Sequence, residues 1–250
     1  ERRVDVLAAR ARRAFLEYMP LRSARGQLYR SVTWGPLVEI FALDLRSYRG
    51  ANSENRQPTA GPDTALLGEA QRVWFETRLR RSRAVWKVIA ASMPIGLVVP
   101  DGPGRYEGIA NGDDGPPLGR ELEVARLLAF IREHRIRNVV WITGDVHYAA
   151  AHRYHPDRAR FRPFDPFWEF VAGPAHAGTF GPNALDATFG PEVVFLSIPP
   201  GMRPNRPPSA GWQFFGTLRI TASGALSVGL HDLSGRTIYE VTLEPERSGM

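Results

Sequence analysis

The sequence predicts an α/β fold with a mainly parallel sheet, and three observations support this prediction. Apolar segments of strand length alternate with segments of helical periodicity through most of the chain. Residues 138–143 form the clearest strand, because consecutive bulky apolar residues are typical of strands buried on both faces. From about residue 190 onward, short strand candidates separated by Ser-Gly turns take over.

The first elements are a helix and a strand. Residues 1–18 predict a helix, because apolar residues recur at helical spacing opposite a face of arginines. A strand is predicted over residues 37–45, and it brings Asp44 and then Arg46 to its carboxyl end. Residues 51–64 are polar and contain proline and glycine, which predicts a loop. The apolar positions of the helix are Val4, Leu7, Ala8, Ala11, Phe15 and Tyr18.

The alternation continues through the middle of the chain. The further elements predicted there are a helix over about 66–81, a strand over 84–91 and a helix over about 120–134. In the first of these helices we expect Ala70, Val73 and Trp74 to face inward. Residues 100–119 are rich in glycine and proline and predict a long loop, and such loops often carry function. The apolar stripe of the later helix is Val124, Leu127, Leu128 and Ile131.

The last part of the chain predicts hairpins. Its strand candidates are residues 193–197, 214–221, 225–231 and 237–243. The turns at Ser223-Gly224 and Ser234-Gly235 suit antiparallel connections. Because no repeat or linker divides the sequence, we expect a single domain over residues 1–250 with a hairpin-rich section from about residue 190.

Composition excludes several classes of function. The chain of 250 residues has no cysteine, which rules out disulfides, thiolate nucleophiles and cysteine-based metal sites. Its net charge is +6, and its basic residues are arginines apart from Lys87. These arginines either attract phosphate-bearing partners or reflect a genomic preference and lie on solvated faces. Walker, Rossmann, nucleophile-elbow and His-Glu-x-x-His motifs are absent, and nothing predicts specific nucleic-acid reading.

Asp145 and His147 are the strongest candidate site residues. They directly follow the strand at 138–143, and ligands of open α/β sheets bind beyond the carboxyl ends of such strands. Residues two apart in an extended segment share a face, so an oxygen and an imidazole nitrogen can point at one metal ion. The alternative is a capping aspartate beside a hydrogen-bonded histidine.

Two further segments carry candidate site residues. Asp44, Arg46 and Arg49 follow the strand at 37–45, and a guanidinium group matches phosphate oxygens in a bidentate manner. The alternative is a structural pair of Asp44 with Arg46. His176 lies in a loop of small residues that would allow close approach of a substrate; alternatively, it is a loop histidine held by the backbone.

Other polar residues have weaker claims. His152 and His155 could act as further ligands or outer-shell partners of a metal, or they are surface or loop histidines. Asn111, Asp113 and Asp114 could be ligands, although ordinary turn chemistry also explains an Asn-Gly-Asp-Asp-Gly segment.

At these segments the chain resembles the PhoD family of alkaline phosphatases, which belongs to the calcineurin-like metallophosphoesterases. The resemblance extends over about residues 1–244, and its specificity comes from the combined segments more than from Gly-Asp-Val-His at 144–147 alone. The segments that carry it are residues 43–50, 138–148, 165–174 and 175–183.

The resemblance implies a four-layer α/β/β/α fold and a multinuclear metal centre containing iron and calcium. It implies hydrolysis of phosphate mono- or diesters by a periplasmic or secreted protein, although the chain shows no signal peptide. By motif match Asp145 and His147 are metal ligands. We expect Arg46 to offset phosphoryl charge, His176 or another nearby histidine to protonate the leaving oxygen, and Asp44 and His152 to lie in the outer shell.

The resemblance covers only the C-terminal part of the family's catalytic domain. The family's other metal ligands come from an earlier half, and none of their motifs occurs in this sequence, which begins at Glu1. We therefore expect a fragment or processed product that cannot assemble a complete metal centre alone. The alternatives are an arginine-rich module that binds polyanions without turnover and a truncated, inactive product.

Overall fold

The structure is a computed structural model that describes residues 1–21 and 26–246. The helices are α1 (Val4–Tyr18), α2 (Glu69–Arg81) and α3 (Glu121–Glu133). The strands are β1 (Arg30–Trp34), β2 (Val38–Ala42), β3 (Trp86–Ala90), β4 (Val139–Thr143), β5 (Ala150–Tyr154), β6 (Phe167–Val171), β7 (Pro191–Leu196), β8 (Phe214–Ile220), β9 (Leu226–Asp232) and β10 (Thr237–Leu243).

The strands form two sheets. The larger sheet has seven strands in the order β1-β2-β3-β4-β6-β5-β7, and the smaller has three in the order β10-β9-β8. Strands β2, β3, β4 and β6 are parallel neighbours, whereas β1 and β5 run antiparallel to the strands beside them. The carboxyl ends of four adjacent strands therefore meet at one edge of the larger sheet, and this edge positions the site described below.

The larger sheet is covered on both faces. Phe75 of α2 and Leu128 of α3 belong to the apolar core that includes Phe41 and Ile89 of the sheet. On the other side, residues of β9 pack with Val88, Val140 and Phe170, so the second sheet covers that face. This α/β/β layering confirms the predicted α/β class.

A fourth layer is not present among the residues that the structure describes. Helices α2 and α3 both contribute to the same core, and α1 buries none of its residues. The helix predicted over 1–18 thus forms, but Val4 and Tyr18 of its apolar stripe are largely exposed. The four-layer arrangement stays a prediction.

The buried face of α2 differs from the prediction. Val73 is exposed and Ala70 lies at the surface, whereas Gln71, Phe75 and Leu79 are buried. These three residues are four apart and so form one helical stripe. The prediction was wrong for Ala70 and Val73, whereas Trp74 is half-buried and packs against the core. It also left out Gln71, whose amide is satisfied inside the core by the backbone of Asp44.

Three strands were absent from the sequence-based prediction. They are β1, β5 and β6. Strand β1 is the edge strand beside β2, β6 pairs with β4 in the parallel part of the sheet, and β5 lies between β6 and β7. Strand β5 carries His152 and Arg153 within an otherwise apolar segment, which hides its strand character. The stripe of α3 and the four C-terminal strands form as predicted, with end points that differ by at most two residues.

Candidate metal centre

Two loops from the carboxyl edge of the larger sheet meet at Asp145. One follows β2 and carries Arg46, and the other follows β4 and carries Asp145 and His147. The Arg46 guanidinium donates from Nη2 to Asp145 Oδ1 over 3.1 Å. A contact across 99 residues of sequence arises because β2 and β4 both end at the same edge.

The backbone at Asp145 and His147 is unusual. Both residues have positive φ angles, 71° at Asp145 and 56° at His147, in the left-handed region that side chains other than glycine rarely adopt. Such conformations cost free energy and are concentrated at functional sites. Their occurrence at two positions of one four-residue turn supports a functional interpretation over that of a simple capping turn.

The Asp145 carboxyl group lies in a partly enclosed environment. Its side chain is 22% exposed. Burial raises its pKa above the ordinary value, while Arg46 opposes that rise and Glu107 adds to it. Apart from the contact of Oδ1 with Arg46, no described residue donates a hydrogen bond to this carboxylate, so Oδ2 is available to a ligand.

His147 is held in one orientation. Its Nδ1 lies 2.6 Å from the carbonyl oxygen of Gly178, and its ring lies against Phe180 with 4.4 Å between centroids. Because a carbonyl oxygen only accepts hydrogen bonds, Nδ1 must carry the proton. The neutral ring then has its lone pair on Nε2, and this is the usual arrangement of a metal-binding histidine.

Glu107 is a site residue that the sequence analysis missed. Its Oε1 accepts from Arg46 Nη1 over 2.5 Å, and its carbonyl oxygen accepts from Arg49 Nη1 over 2.6 Å. Glu107 belongs to the long loop at 100–119, whose length had indicated function. No motif marks it, because its partners lie about sixty residues away in the sequence.

Asp44 has a structural role at this edge. Its Oδ1 accepts from the backbone N–H groups of Arg46 at 3.0 Å and Ser47 at 2.9 Å, which shapes the loop after β2. The Arg46 guanidinium is directed to Asp145 and Glu107 instead, so the predicted pairing of Asp44 with Arg46 is a backbone contact rather than an ion pair.

A buried arginine holds these loops in place. Arg120 is fully buried, and its guanidinium donates to the carbonyl oxygens of Tyr106 at 3.0 Å, Gly108 at 2.9 Å and Ala51 at 2.9 Å. Burial and the nearby Arg49 lower its pKa to about 10. Arg120 thereby connects the backbone on both sides of Glu107 to the backbone after Arg49.

The remaining histidines lie apart from this contact network. His152 is 1% exposed in β5, and its Nδ1 lies 3.6 Å from the buried carboxylate of Glu169, so its interpretation as a surface or loop histidine was wrong. His155 is a loop residue 3.3 Å from Asp157. His176 is exposed on the loop that also carries Gly178, and its proposed role is untested.

The polar residues of the long loop are engaged in local bonds. Asn111 Nδ2 donates to Glu121 Oε2, Asp113 Oδ1 accepts from the N–H group of Gly115, and Asp114 Oδ1 accepts from that of Ala187. These contacts favour the turn interpretation of the segment over a ligand role.

The donor types at Asp145 and His147 fit a metal ion. A carboxylate oxygen and an imidazole nitrogen suit zinc, iron or manganese. Among the described residues, none forms a hydrogen bond with Asp145 Oδ2 or His147 Nε2. Within residues 1–21 and 26–246, however, no group of three or more His, Cys, Asp or Glu side chains is arranged to hold one ion. Asp145 and His147 are thus two candidate ligands, and the described residues do not complete a three-ligand site around them.

The fold and the site together define an α/β protein with a candidate metal-binding site at the carboxyl edge of a parallel sheet. The family model described as PhoD-like phosphatase matches residues 1–227, and the chain therefore belongs to the PhoD-like phosphatase family. This confirms the resemblance found in the sequence.

Individual relatives agree with this assignment. The chain is 34% identical over 168 residues to alkaline phosphatase D of Bacillus subtilis (strain 168), covering 60% of this chain and 27% of that protein. A solved structure titled "Structure of PhoD" matches with a TM-score of 0.57 and 21% identity, covering 94% of this chain and 49% of that one. The chain thus spans about half or less of the relatives that it matches.

None of the described helices has the length and apolarity needed to cross a membrane.

Proposed function

We propose that this chain forms part of a metal-dependent phosphate ester hydrolase and contributes Asp145 and His147 as metal ligands. The observation that carries the proposal is how each of the two side chains is held in the turn after β4. His147 Nδ1 is committed to the Gly178 carbonyl, which leaves Nε2 free, and Asp145 is in contact with a cationic arginine on the neighbouring loop. Membership of the PhoD-like phosphatase family supports hydrolysis of phosphate esters.

Each side chain has a distinct part in the proposed reaction. A bound cation would polarise the phosphoryl oxygens and acidify a nearby water molecule. Arg46, half-exposed and 3.1 Å from Asp145, can donate to a phosphoryl oxygen and offset its negative charge. Glu107 and Asp145 hold the guanidinium in that position. The exposed His176 is proposed to donate a proton to the leaving oxygen.

The test is removal of one ligand in the full-length protein of which this chain is proposed to form part. Asp145→Asn keeps the shape of the side chain and removes its charge. We therefore expect the affinity for the metal ion to fall by at least about tenfold. Hydrolysis of p-nitrophenyl phosphate and of bis-p-nitrophenyl phosphate should fall with it, and the two substrates distinguish monoesters from diesters. Elemental analysis of the purified protein tests the proposed iron and calcium.

Asp165→Asn is the matched control, because Asp165 is an exposed aspartate that contacts only Arg132 at 3.9 Å. It should leave metal content and turnover unchanged. Equal metal content and equal rates in Asp145→Asn and wild type would remove the metal role of Asp145.

Activity measured separately in culture medium, periplasm and cytoplasm tests the proposed periplasmic or secreted location.

A further inference from the structure

A basic cleft lies at the edge of the larger sheet opposite to Asp145. It consists of two adjoining cavities of about 510 and 870 Å³ that share residues 135–138, just before β4. The larger cavity also includes Ala84 and Val85, just before β3. With roughly 3.3 Å per strand residue, the five residues of β4 separate residues 135–138 of this cleft from the turn that carries Asp145 by about 16 Å.

The lining of the cleft is strongly cationic. Six basic side chains line it, whereas Asp165 and Glu246 are its only carboxylates among the described residues. Both carboxylates make long contacts, 3.9 Å from Asp165 to Arg132 and 3.7 Å from Glu246 to Arg137. The six basic residues are Arg80, Arg83, Lys87, Arg132, Arg135 and Arg137.

Helix dipoles explain only part of this charge. Arg80 and Arg132 lie in the last turns of α2 and α3, where a cation is favoured by the helix C-terminus. Arg83, Lys87 and Arg137 lie beyond those helices and gain nothing from their last turns. The positive charge of the cleft therefore exceeds what the two helix ends require.

Several of these cations are free to bind an anion. Within the described part of the chain, the guanidinium groups of Arg80, Arg83 and Arg135 have no ion-pair or hydrogen-bond partner, and all three residues are exposed. A guanidinium fork binds phosphate oxygens in a bidentate manner. Arginines around two adjoining cavities can hold more than one phosphate of a single ligand.

We propose that this cleft binds a linear polymer of phosphates, with inorganic polyphosphate as its simplest representative. Nucleic acids are the less favourable occupants, because base binding uses exposed aromatic rings. The aromatic residues of the cleft, Trp141 and Phe167, are only 3% and 6% exposed. The site acts without turnover and does not depend on the candidate metal centre.

The test is a salt titration of polyphosphate binding in the presence of a chelator, which prevents metal-dependent hydrolysis. The double variant Arg83→Gln/Arg135→Gln should bind long-chain polyphosphate at least about tenfold more weakly at 0.1 M salt. The slope of log affinity against log salt concentration should fall by about two, one for each phosphate contact removed. Tripolyphosphate, which offers only three phosphates to the six basic side chains, should bind more weakly than the long chain.

Arg219→Gln is the matched control, since it removes an exposed arginine on β8, outside the cleft. It should change the affinity by less than about twofold. Equal losses in the control and the double variant, or an unchanged slope in the double variant, would overturn the proposal. Tighter binding of a single-stranded oligonucleotide of equal charge would overturn the choice of polyphosphate. Asp145→Asn should bind polyphosphate like wild type even if it loses metal, so failure of the hydrolase proposal is distinguishable from failure of this one.

Discussion

Glu121 shows how strongly one buried side chain can depart from its ordinary chemistry. It is fully buried, and its two oxygens accept hydrogen bonds from Asn111 and from the N–H group of Leu118. Burial, followed by the nearby Asp186, raises its pKa to about 9 from an ordinary value of 4.5. At neutral pH this carboxyl group is therefore protonated in the folded protein and ionised in the unfolded chain.

The stability of the protein should depend on pH through this group. Because the folded pKa is the higher one, the folded protein holds the extra proton between pH 4.5 and 9, and the free energy of unfolding falls as pH rises through this window. We expect wild type to lose about 1 kcal/mol per pH unit relative to Glu121→Gln, somewhat below the limit of about 1.36 kcal/mol for one proton. Urea unfolding at pH 5, 6.5 and 8 measures this difference.

Glu133→Gln, an exposed change on the same helix, should follow the pH dependence of wild type. Parallel stability curves for wild type and Glu121→Gln would show that Glu121 is already ionised in the folded protein.

The sequence identified some residues of the candidate site and missed others for a physical reason. Asp145, His147 and Arg46 come shortly after apolar strands, and such a position can be recognised from the sequence alone. Glu107 and Arg120 act through contacts with residues far away in the sequence, and their surroundings in a Gly- and Pro-rich loop and at a helix start look ordinary. The basic cleft was missed likewise, because its arginines come from the ends of α2 and α3 and from the segments after them, which only the fold brings together.

Elements with one buried face were predictable when that face was purely apolar. The stripe of α3 and the strand β4 form as predicted, because apolar periodicity alone defines them. For helix α2 the predicted inward face was only partly right, because the buried stripe includes a glutamine whose burial depends on the backbone of the loop after β2. Strands β1, β5 and β6 were missed because polar and charged residues interrupt them.

The assigned face of α2 leads to a direct test. Phe75→Ala removes a fully buried ring that packs edge-on against Phe41 at 5.6 Å, so we expect a loss of about 3–5 kcal/mol in the free energy of unfolding. Val73→Ala, on the exposed side of the same helix, should change it by no more than about 0.5 kcal/mol. Denaturant titration of both variants measures the contrast, and similar losses in the two would show that α2 is rotated from the described orientation.

The two edges of the larger sheet carry different sets of charged groups. Two carboxylates, a histidine and Arg46 meet at the carboxyl edge, whereas basic residues outnumber carboxylates at the amino edge. The strands between them are apolar and close-packed, with cores on both faces. The proposed metal centre and the proposed polyphosphate cleft therefore occupy opposite edges of one packed layer.

Helix α1 adds little to this packed body. It spans fifteen residues without burying any of them, and its ion pairs, Arg3 with Asp5 and Arg13 with Glu17, lie within residues 1–18 and are exposed. Hydrophobic stabilisation requires removal of apolar surface from water, and exposed ion pairs contribute little. Deletion of residues 1–18 should therefore change the free energy of unfolding by less than about 0.5 kcal/mol, as measured by urea titration.

Leu128→Ala in α3, which is 2% exposed, is the contrasting change and should cost about 2–5 kcal/mol. A loss above about 2 kcal/mol on deleting α1 would mean that its apolar stripe is covered in solution, because only burial of that stripe could supply so large a contribution.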